Sequence, residues 1–189
     1  MAPLAKTTFS KRKERTMTYL IFVLSVLTRF IPHIPNFSPV FGALLFAGAY
    51  IKKRDSIWFP VVVLALSDYL LTRFLYQMHL GWSELITWAG FAAVAVIGWW
   101  LRSAVTFRKF TAAALAGPTA FFLISNFGVW LGWKMYPPTS AGLVACYVAG
   151  LPFYRNSIVS SLLFGGVLFG LYELYLRRIG GAEVHGLAA

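Results

Sequence analysis

The sequence predicts an all-α membrane protein, built as a bundle of six transmembrane helices. Its composition is the first reason: apolar residues make up 59% and charged residues 12%, whereas soluble domains carry about 25% charged residues. The mean hydropathy of +0.69 agrees with this. The second reason is the pattern, in which long apolar stretches alternate with short polar gaps. Such a chain cannot form the polar surface of a soluble domain, so we expect a lipid bilayer around it.

The positions of the cations predict how the chain is oriented. Thirteen of the 17 Lys and Arg residues occupy every second gap between apolar stretches, and short loops rich in these residues stay in the cytoplasm. We therefore expect an even number of crossings with both termini cytoplasmic. The thirteen are Lys6, Lys11, Arg12, Lys13, Arg15, Lys52, Lys53, Arg54, Arg102, Arg108, Lys109, Arg177 and Arg178. The other four, Arg29, Arg73, Lys134 and Arg155, lie at the opposite segment ends. Because the clusters adjoin apolar segments, the net charge of +11 indicates anionic lipid headgroups, and we expect no nucleic-acid partner.

Six apolar segments follow one another along the chain. They are Met17 to Ile31, Phe37 to Ile51, Ile57 to about Tyr76, Leu85 to Leu101, Thr111 to Trp133, and Ile158 to Leu176. A span needs about 20 residues, with roughly 17 as a lower limit, and the first two segments are at or below that limit. They could form a re-entrant hairpin. Two tilted spans are favoured, because Pro32 and Pro35 end the first helix on the side opposite the basic clusters.

The remaining stretches give the domain organisation. We predict a basic cytoplasmic arm over residues 1–15, the bundle over 16–178 and a flexible cytoplasmic tail over 179–189. Ala141 to Leu151 is apolar but too short to cross, so it is predicted to lie at the outer surface as a cap. Small-residue pairs, Ala43 with Ala47 and Gly166 with Gly170, allow helices to approach closely, either within the monomer or in an interface with a partner.

Polar residues that are costly in lipid fall mostly at the outer ends of the segments. Since such residues usually face a cavity or each other, they predict a substrate pocket open to the outer side. The candidate substrate-binding residues are Arg29, His33, Asn36, Asp68, Asn126, Cys146, Tyr147, Arg155 and Asn156. In this interpretation Arg29 and Arg155 favour an anionic group, while Tyr147 and Tyr154 pack against a ring.

A structural role is the alternative for several of these candidates. Arg29 can pair with Asp68 across the bundle, and Asn36 can cap the second segment. His33 can serve as a hydrogen-bonded structural histidine, and Cys146 can act as a small packing residue. The choice between these roles depends on what the folded chain brings together.

Enzymatic chemistry is not expected of this chain. It has no hydrolase nucleophile elbow, phosphate-binding Gly loop, metalloprotease helix or paired carboxylates, and only six acidic residues. The three histidines, His33, His79 and His185, lack the spacing of metal ligands, and a single cysteine excludes an intrachain disulfide. We therefore predict no catalytic residues, no metal and no cofactor.

Several stretches resemble a known group of proteins. They are Arg29 to Ala49, read as R-x-x-P-H-x-P-N-F-S-P-V-x-x-x-x-L-F-A-G-A, then Leu66-Ser67-Asp68, Tyr136-Pro137, Ala141-Gly142-Leu143, Cys146-Tyr147, and Leu151 to Asn156. With them the chain resembles a family of small bacterial integral membrane proteins. That family is grouped with the S components, the substrate-binding subunits of energy-coupling-factor vitamin transporters.

The resemblance implies a six-helix protein of the bacterial inner membrane that binds a small vitamin-like or cofactor-like molecule at its outer side. Release inward would follow coupling to a transmembrane subunit and a pair of ATPases. The first helix of S components carries an Ala-x-x-x-Ala coupling motif, which Met17 to Ile31 lacks; the nearest match is Ala43 to Ala47. The alternative is a structural or assembly protein without a ligand, resembling membrane subunits of cell-shape machinery.

Overall fold

Six helices form the part of the chain that the structure describes. A computed structural model describes residues 16–77 and 81–186, with side chains up to Arg178. The basic arm predicted over 1–15 lies outside these residues, as do 78–80 and 187–189. The helices are α1 (Thr16–Phe30), α2 (Val40–Tyr50), α3 (Trp58–Leu70, continued by a π turn over Leu71–Leu75), α4 (Glu84–Gly98, continued by a 3-10 turn over Trp99–Arg102), α5 (Phe107–Gly132) and α6 (Ser140–Gly186). No strand occurs within the two described ranges.

Four of these helices are long and apolar enough to cross a membrane: Trp58–Leu75, Glu84–Arg102, Phe107–Gly132 and Ser140–Arg178. The chain is therefore an all-helical membrane protein. The first two helices, which the sequence predicts as two tilted spans or a re-entrant hairpin, are shorter than these four. The 11 residues of α2 rise only about 16 Å, against a hydrocarbon core of about 30 Å.

The short helix α2 occupies the centre of the bundle. Its residues from Val40 to Ala49 are all buried, between α4, α5 and α6. Glycines permit this position because they bring backbones together. A Cβ added to Gly42 would lie 2.7 Å from the Cα of Gly165 in α6, and one added to Gly48 would lie 2.8 Å from the Cα of Gly98 in α4. Larger residues at these crossings would push α2 away from the centre of the bundle.

The helix α6 corrects two predicted boundaries. Ala141 to Leu151 is not a separate cap, because one continuous helix of 47 residues includes it together with Pro152. Contacts with α5 hold α6 on both sides of the proline: the Tyr147 hydroxyl donates to the Leu123 carbonyl at 2.7 Å, and the Tyr154 hydroxyl lies 2.8 Å from Thr119 Oγ1. The helix also continues to Gly186, through most of the predicted tail.

The described cations of the predicted cytoplasmic clusters gather at one end of the bundle, here called the cation-rich end. The Arg102 guanidinium donates to the Ile51 carbonyl at 2.6 Å, and Lys53 Nζ lies 5.0 Å from the centre of the Trp99 ring. These contacts bring the connection between α2 and α3 against the connection between α4 and α5. The Tyr50 hydroxyl donates to Glu173 at the same end, so α2 and α6 are also joined there.

The two small-residue pairs behave differently. Ala43 and Ala47 are fully buried within the chain. Gly166 and Gly170 are exposed, and a Cβ added to either would meet no described atom within 4 Å. Packing within the monomer therefore explains the two alanines but not the two glycines.

Candidate functional site

A cavity of about 610 Å³ lies at the end of the bundle opposite the cation-rich end. This volume is within the range of about 300 to 1,000 Å³ found for small-molecule sites. Exposed residues such as His33, Asn36 and Tyr76 belong to its lining, so it opens to the surface. The full lining is Arg29, Phe30, Ile31, Pro32, His33, Pro35, Asn36, Ser38, Val40, Phe41, Asp68, Leu71, Thr72, Leu75, Tyr76, Glu84, Thr87, Phe91 and Phe121.

An ion pair joins three helices beside this cavity. Arg29 Nη2 at the end of α1 donates to Asp68 Oδ1 of α3 at 2.6 Å, and Arg29 Nη1 donates to Ser67 Oγ at 2.5 Å. The second carboxylate oxygen of Asp68 accepts a bond from Trp88 Nε1 of α4 at 2.9 Å. The side chains of Arg29 and Asp68 are only 19% and 11% exposed. The predicted pairing of Arg29 with Asp68 is therefore present, and the charge of Arg29 is neutralised by Asp68.

Two irregular helix ends form part of the cavity wall. The last turn of α1, Thr28–Phe30, is a 3-10 turn, and Arg29 and Phe30 line the cavity from it. The π turn Leu71–Leu75 at the end of α3 contributes Leu71, Thr72 and Leu75. Single π turns within α-helices occur frequently at functional sites. Both irregularities coincide with the cavity instead of lying elsewhere in the bundle.

Aromatic rings line the deep part of the cavity. Phe91 of α4 and Phe121 of α5 are stacked, with ring centres 4.9 Å apart and planes inclined by 16°. Phe41, in the first turn of α2, meets Phe121 edge-on at 5.1 Å. Because α2 begins here while α4 and α5 continue beyond it, the space above its first turn is left open. The cavity is thus apolar in its depth and polar toward the mouth.

The connection between α1 and α2 is held by side chains that bond to its backbone carbonyls. His33 Nδ1 lies 2.6 Å from the Ile31 carbonyl, and Asn36 adopts a φ of 58°, a left-handed conformation that asparagine tolerates better than most residues. The Asn36 carbonyl accepts a bond from Ser160 Oγ at 3.3 Å. Pro39 precedes α2, with no side-chain hydrogen bond at this N-cap, so the predicted capping by Asn36 is wrong. Its side chain remains at the cavity lining.

Four of the nine predicted site residues line this cavity: Arg29, His33, Asn36 and Asp68. The other five, which lie on α5 and α6, do not line it. Asn126 Nδ2 donates to the Phe122 carbonyl at 2.8 Å, and the buried Cys146 thiol lies 3.4 Å from the Asn126 carbonyl. Asn156 Nδ2 donates to the Pro35 carbonyl at 3.0 Å and so ties α6 to the connection before α2.

The predicted ring and anion contacts are also absent from the cavity. The hydroxyls of Tyr147 and Tyr154 bond to α5, and the Tyr154 ring stacks on Phe122 with centres 4.6 Å apart. Arg155 is exposed on α6 and is not part of the cavity lining. The two tyrosines thus join α5 to α6, and neither they nor Arg155 contact the cavity.

Several cavity residues were missed from the sequence. Glu84, directly before the predicted segment Leu85 to Leu101, is the first residue of α4 and lines the cavity together with Thr87 one turn later. Thr72 and Tyr76 contribute from the end of α3. The available signal was the position of an acidic residue directly before an apolar segment, on the side opposite the cation clusters.

Comparison with known families places the chain in one of them. Residues 9–183 match the model of a family of unknown function, DUF6580. The chain belongs to this family. No curated protein matches the chain, and no solved structure matches it. The matched range includes every residue of the cavity lining, from Arg29 to Phe121.

Proposed function

We propose that this chain is a multi-pass protein of the bacterial inner membrane that binds a small molecule in the cavity and takes part in its uptake. The observation that carries the proposal is the cavity itself, with about 610 Å³ of space, stacked rings at its depth and polar groups toward its mouth. Sites for small molecules combine apolar surface with a few polar groups that fix orientation. A ligand of vitamin or cofactor size fits such a volume.

The orientation follows from the cations. Short loops rich in Lys and Arg remain cytoplasmic. The cations of the cation-rich end lie in the connection from α2 to α3 or at the helix ends beside the connection from α4 to α5: Lys52, Lys53, Arg54, Arg102, Arg108 and Lys109. In the proposed orientation this end and both termini face the cytoplasm. The cavity then opens to the outer side, where a substrate for uptake arrives.

Energy for uptake would come from a partner, as the resemblance to S components implies. A transmembrane coupling subunit with ATPases is the partner class proposed. Such a subunit cannot dock on Ala43 and Ala47, because both are fully buried in the bundle. Exposed apolar side chains on the outer faces of the other helices, such as Leu24, Leu66 and Leu163, offer surfaces for docking.

The binding proposal is tested by filling the cavity without touching the ion pair. Thr87→Phe places a ring into the lining, whereas Ala89→Phe places the same ring on the exposed side of α4 as a matched control. Native mass spectrometry of the gently purified protein is expected to find a retained small molecule in the wild type and in Ala89→Phe. Thr87→Phe is expected to lose it while unfolding at a similar temperature. Absence of any retained molecule in the wild type, or retention by Thr87→Phe, would contradict the proposal.

A structural or assembly role is the second candidate, and exposed glycines favour it. Gly166 and Gly170 lie one turn apart on α6, and a Cβ added to either would meet no described atom within 4 Å. Such small residues on an open helix face are typical of close helix pairing. Gly166→Ile is expected to weaken crosslinking to a partner chain without lowering the unfolding temperature. The adjacent Gly165→Ile is the contrasting variant, because a Cβ there already lies 3.1 Å from the Phe110 ring and should destabilise the monomer.

A further inference from the structure

The charges around the cavity do not balance, and the imbalance indicates which ligand it accepts. The charged side chains in the lining are Arg29, Asp68 and Glu84. Arg29 and Asp68 form a close ion pair, and each oxygen of Asp68 has its own donor. The Glu84 side chain, by contrast, has no hydrogen bond or ion pair to any residue in the described ranges. One negative charge is therefore left over.

Helix ends do not remove this charge. The N-termini of α2 and α4 lie at this end of the bundle, each equivalent to about half a positive charge. The C-terminal ends of α1 and α3 lie at the same end, each equivalent to about half a negative charge. Because this effect falls off within about one turn, the N-terminus of α4, where Glu84 lies, acts most strongly on its carboxylate. About half a positive charge favours the ionised carboxylate but does not neutralise it, so a net negative charge remains at Glu84.

The aromatic lining points in the same direction. Phe41, Phe91 and Phe121 form a continuous cluster in the depth of the cavity. Aromatic faces attract cations, and they also pack against flat rings. A carboxylate beside such a cluster suits a molecule that carries a positive charge on or next to a ring.

We infer that the cavity selects a small aromatic cation, with the Glu84 carboxylate as the group that binds its positive charge. This inference rests on the proposed binding function and makes it specific. It also reverses the ligand charge expected from Arg29 and Arg155, since the first is paired with Asp68 and the second does not line the cavity. Glu84 is a specificity-determining residue in this arrangement.

The test compares three probes of nearly the same shape: 3-phenylpropylammonium, 3-phenylpropanol and 3-phenylpropionate. Their affinities are measured by isothermal titration with the full chain in lipid nanodiscs at neutral pH. We expect the cation to bind about tenfold more tightly than the alcohol, as a charge-assisted hydrogen bond sustains, and the carboxylate to bind most weakly. Glu84→Gln should abolish the preference for the cation. Glu173→Gln removes the same charge at the cation-rich end and should preserve it.

The outcomes separate this inference from the binding function on which it rests. Equal or tighter binding of the carboxylate by the wild type overturns the cation inference, while cavity binding itself stands. A cation preference that survives in Glu84→Gln overturns the role of Glu84. If none of the three probes binds, the cation inference is overturned too, and the retained-molecule experiment alone decides the binding function. The wild-type order of affinities needs no variant, so the inference can be tested even if Glu84→Gln fails to fold.

Discussion

Gly48 and Gly98 meet where α2 crosses α4, and a Cβ added to Gly98 would lie 2.9 Å from the Cα of Gly48. The neighbouring atoms at this crossing are backbone, which cannot move aside as a flexible side chain can. The contact fixes how closely the central helix approaches its neighbour. Its consequences for stability can be measured directly.

Gly48→Ala is expected to destabilise the bundle by about 1 to 3 kcal/mol, the usual cost of overpacking a well-packed interior. The measurement is the unfolding temperature in detergent micelles. Gly170→Ala is the matched control, because a Cβ there meets nothing within 4 Å among the described atoms and alanine favours helix by about 1 kcal/mol. Equal effects of the two substitutions would contradict the close crossing.

Asp68→Asn is expected to destabilise the protein by about 3 kcal/mol, because it leaves the Arg29 charge mostly buried without its partner. The double variant Arg29→Met with Asp68→Leu removes both charges and should recover much of that loss. Denaturant unfolding of the single variants Arg29→Met and Asp68→Leu, of their double variant and of the wild type gives the coupling energy. A coupling energy near zero would show that the pair does not stabilise the junction of α1 with α3.

The stability of the cation-rich end should depend on acid pH through Asp55. The Tyr19 hydroxyl donates to Asp55 Oδ2 at 2.7 Å, and this bond, followed by Trp58 and nearby cations, lowers the pKa of Asp55 below its ordinary value. A carboxyl group with a lowered pKa stabilises the fold above its unfolded pKa of about 3.9. That stabilisation is lost as the pH falls through the lower, folded pKa.

The check is a series of unfolding temperatures between neutral pH and about pH 3, a window that brackets the unfolded pKa. The fall in unfolding temperature at acid pH should be smaller in Asp55→Asn and in Tyr19→Phe than in the wild type. Identical acid profiles in all three proteins would mean that the hydrogen bond contributes nothing. Since Asp55 lies in the connection between α2 and α3, this experiment leaves the cavity unchanged.

Tyr147→Phe should lower stability by about 1 kcal/mol, the net contribution of one hydrogen bond, here to the Leu123 carbonyl. It should leave the affinity for 3-phenylpropylammonium unchanged, because the side chain joins α5 to α6 and does not line the cavity. Titration and thermal unfolding of the same preparation separate the two effects. A loss of affinity without a loss of stability would show that Tyr147 contributes to ligand binding.

Cysteine labelling in intact cells tests the orientation. In a Cys146→Ser background, Lys53→Cys and Arg108→Cys are expected to react only with reagents that cross the membrane. Thr139→Cys, in the connection between α5 and α6, should react with impermeant reagents as well. Labelling of Lys53→Cys by an impermeant reagent would invert the proposed topology and place the cavity on the cytoplasmic side.

The sequence was sufficient for the helical class and for the segments over α3, α4 and α5, because long apolar runs and charged gaps determine these directly. It failed at α6, where Ala141 to Leu151 was predicted to be a separate cap because this apolar stretch is too short to cross a membrane. The helix continues there because Tyr147, Tyr154 and Asn156 find partners on neighbouring elements. Such partners are set by packing and cannot be derived from local composition.

Only part of the candidate site was predicted, because its other contacts are also set by packing. Arg29 and Asp68 were recognised as a possible pair, since two opposite charges at one membrane depth rarely stay apart. Glu84 was missed because a single acid before an apolar segment also resembles an ordinary helix start. Asn126 and Cys146 were included because polar side chains at the outer ends of the segments suggested a pocket. In the structure Asn126 bonds within α5, and Cys146 of α6 packs against the Asn126 carbonyl.

The burial of α2 limits how anything can pass through this chain. The helix fills the axis below the cavity, and Leu44 and Leu45 in its middle are fully buried. A molecule bound above its first turn therefore has no open path along the axis of the bundle, because α2 blocks it. Movement to the cation-rich end along the axis requires α2 to be displaced, which breaks its glycine contacts with α4 and α6 and its Tyr50 bond to Glu173. Transport by this protein would thus be a rearrangement of one short helix, driven by whatever partner can supply the work of moving it.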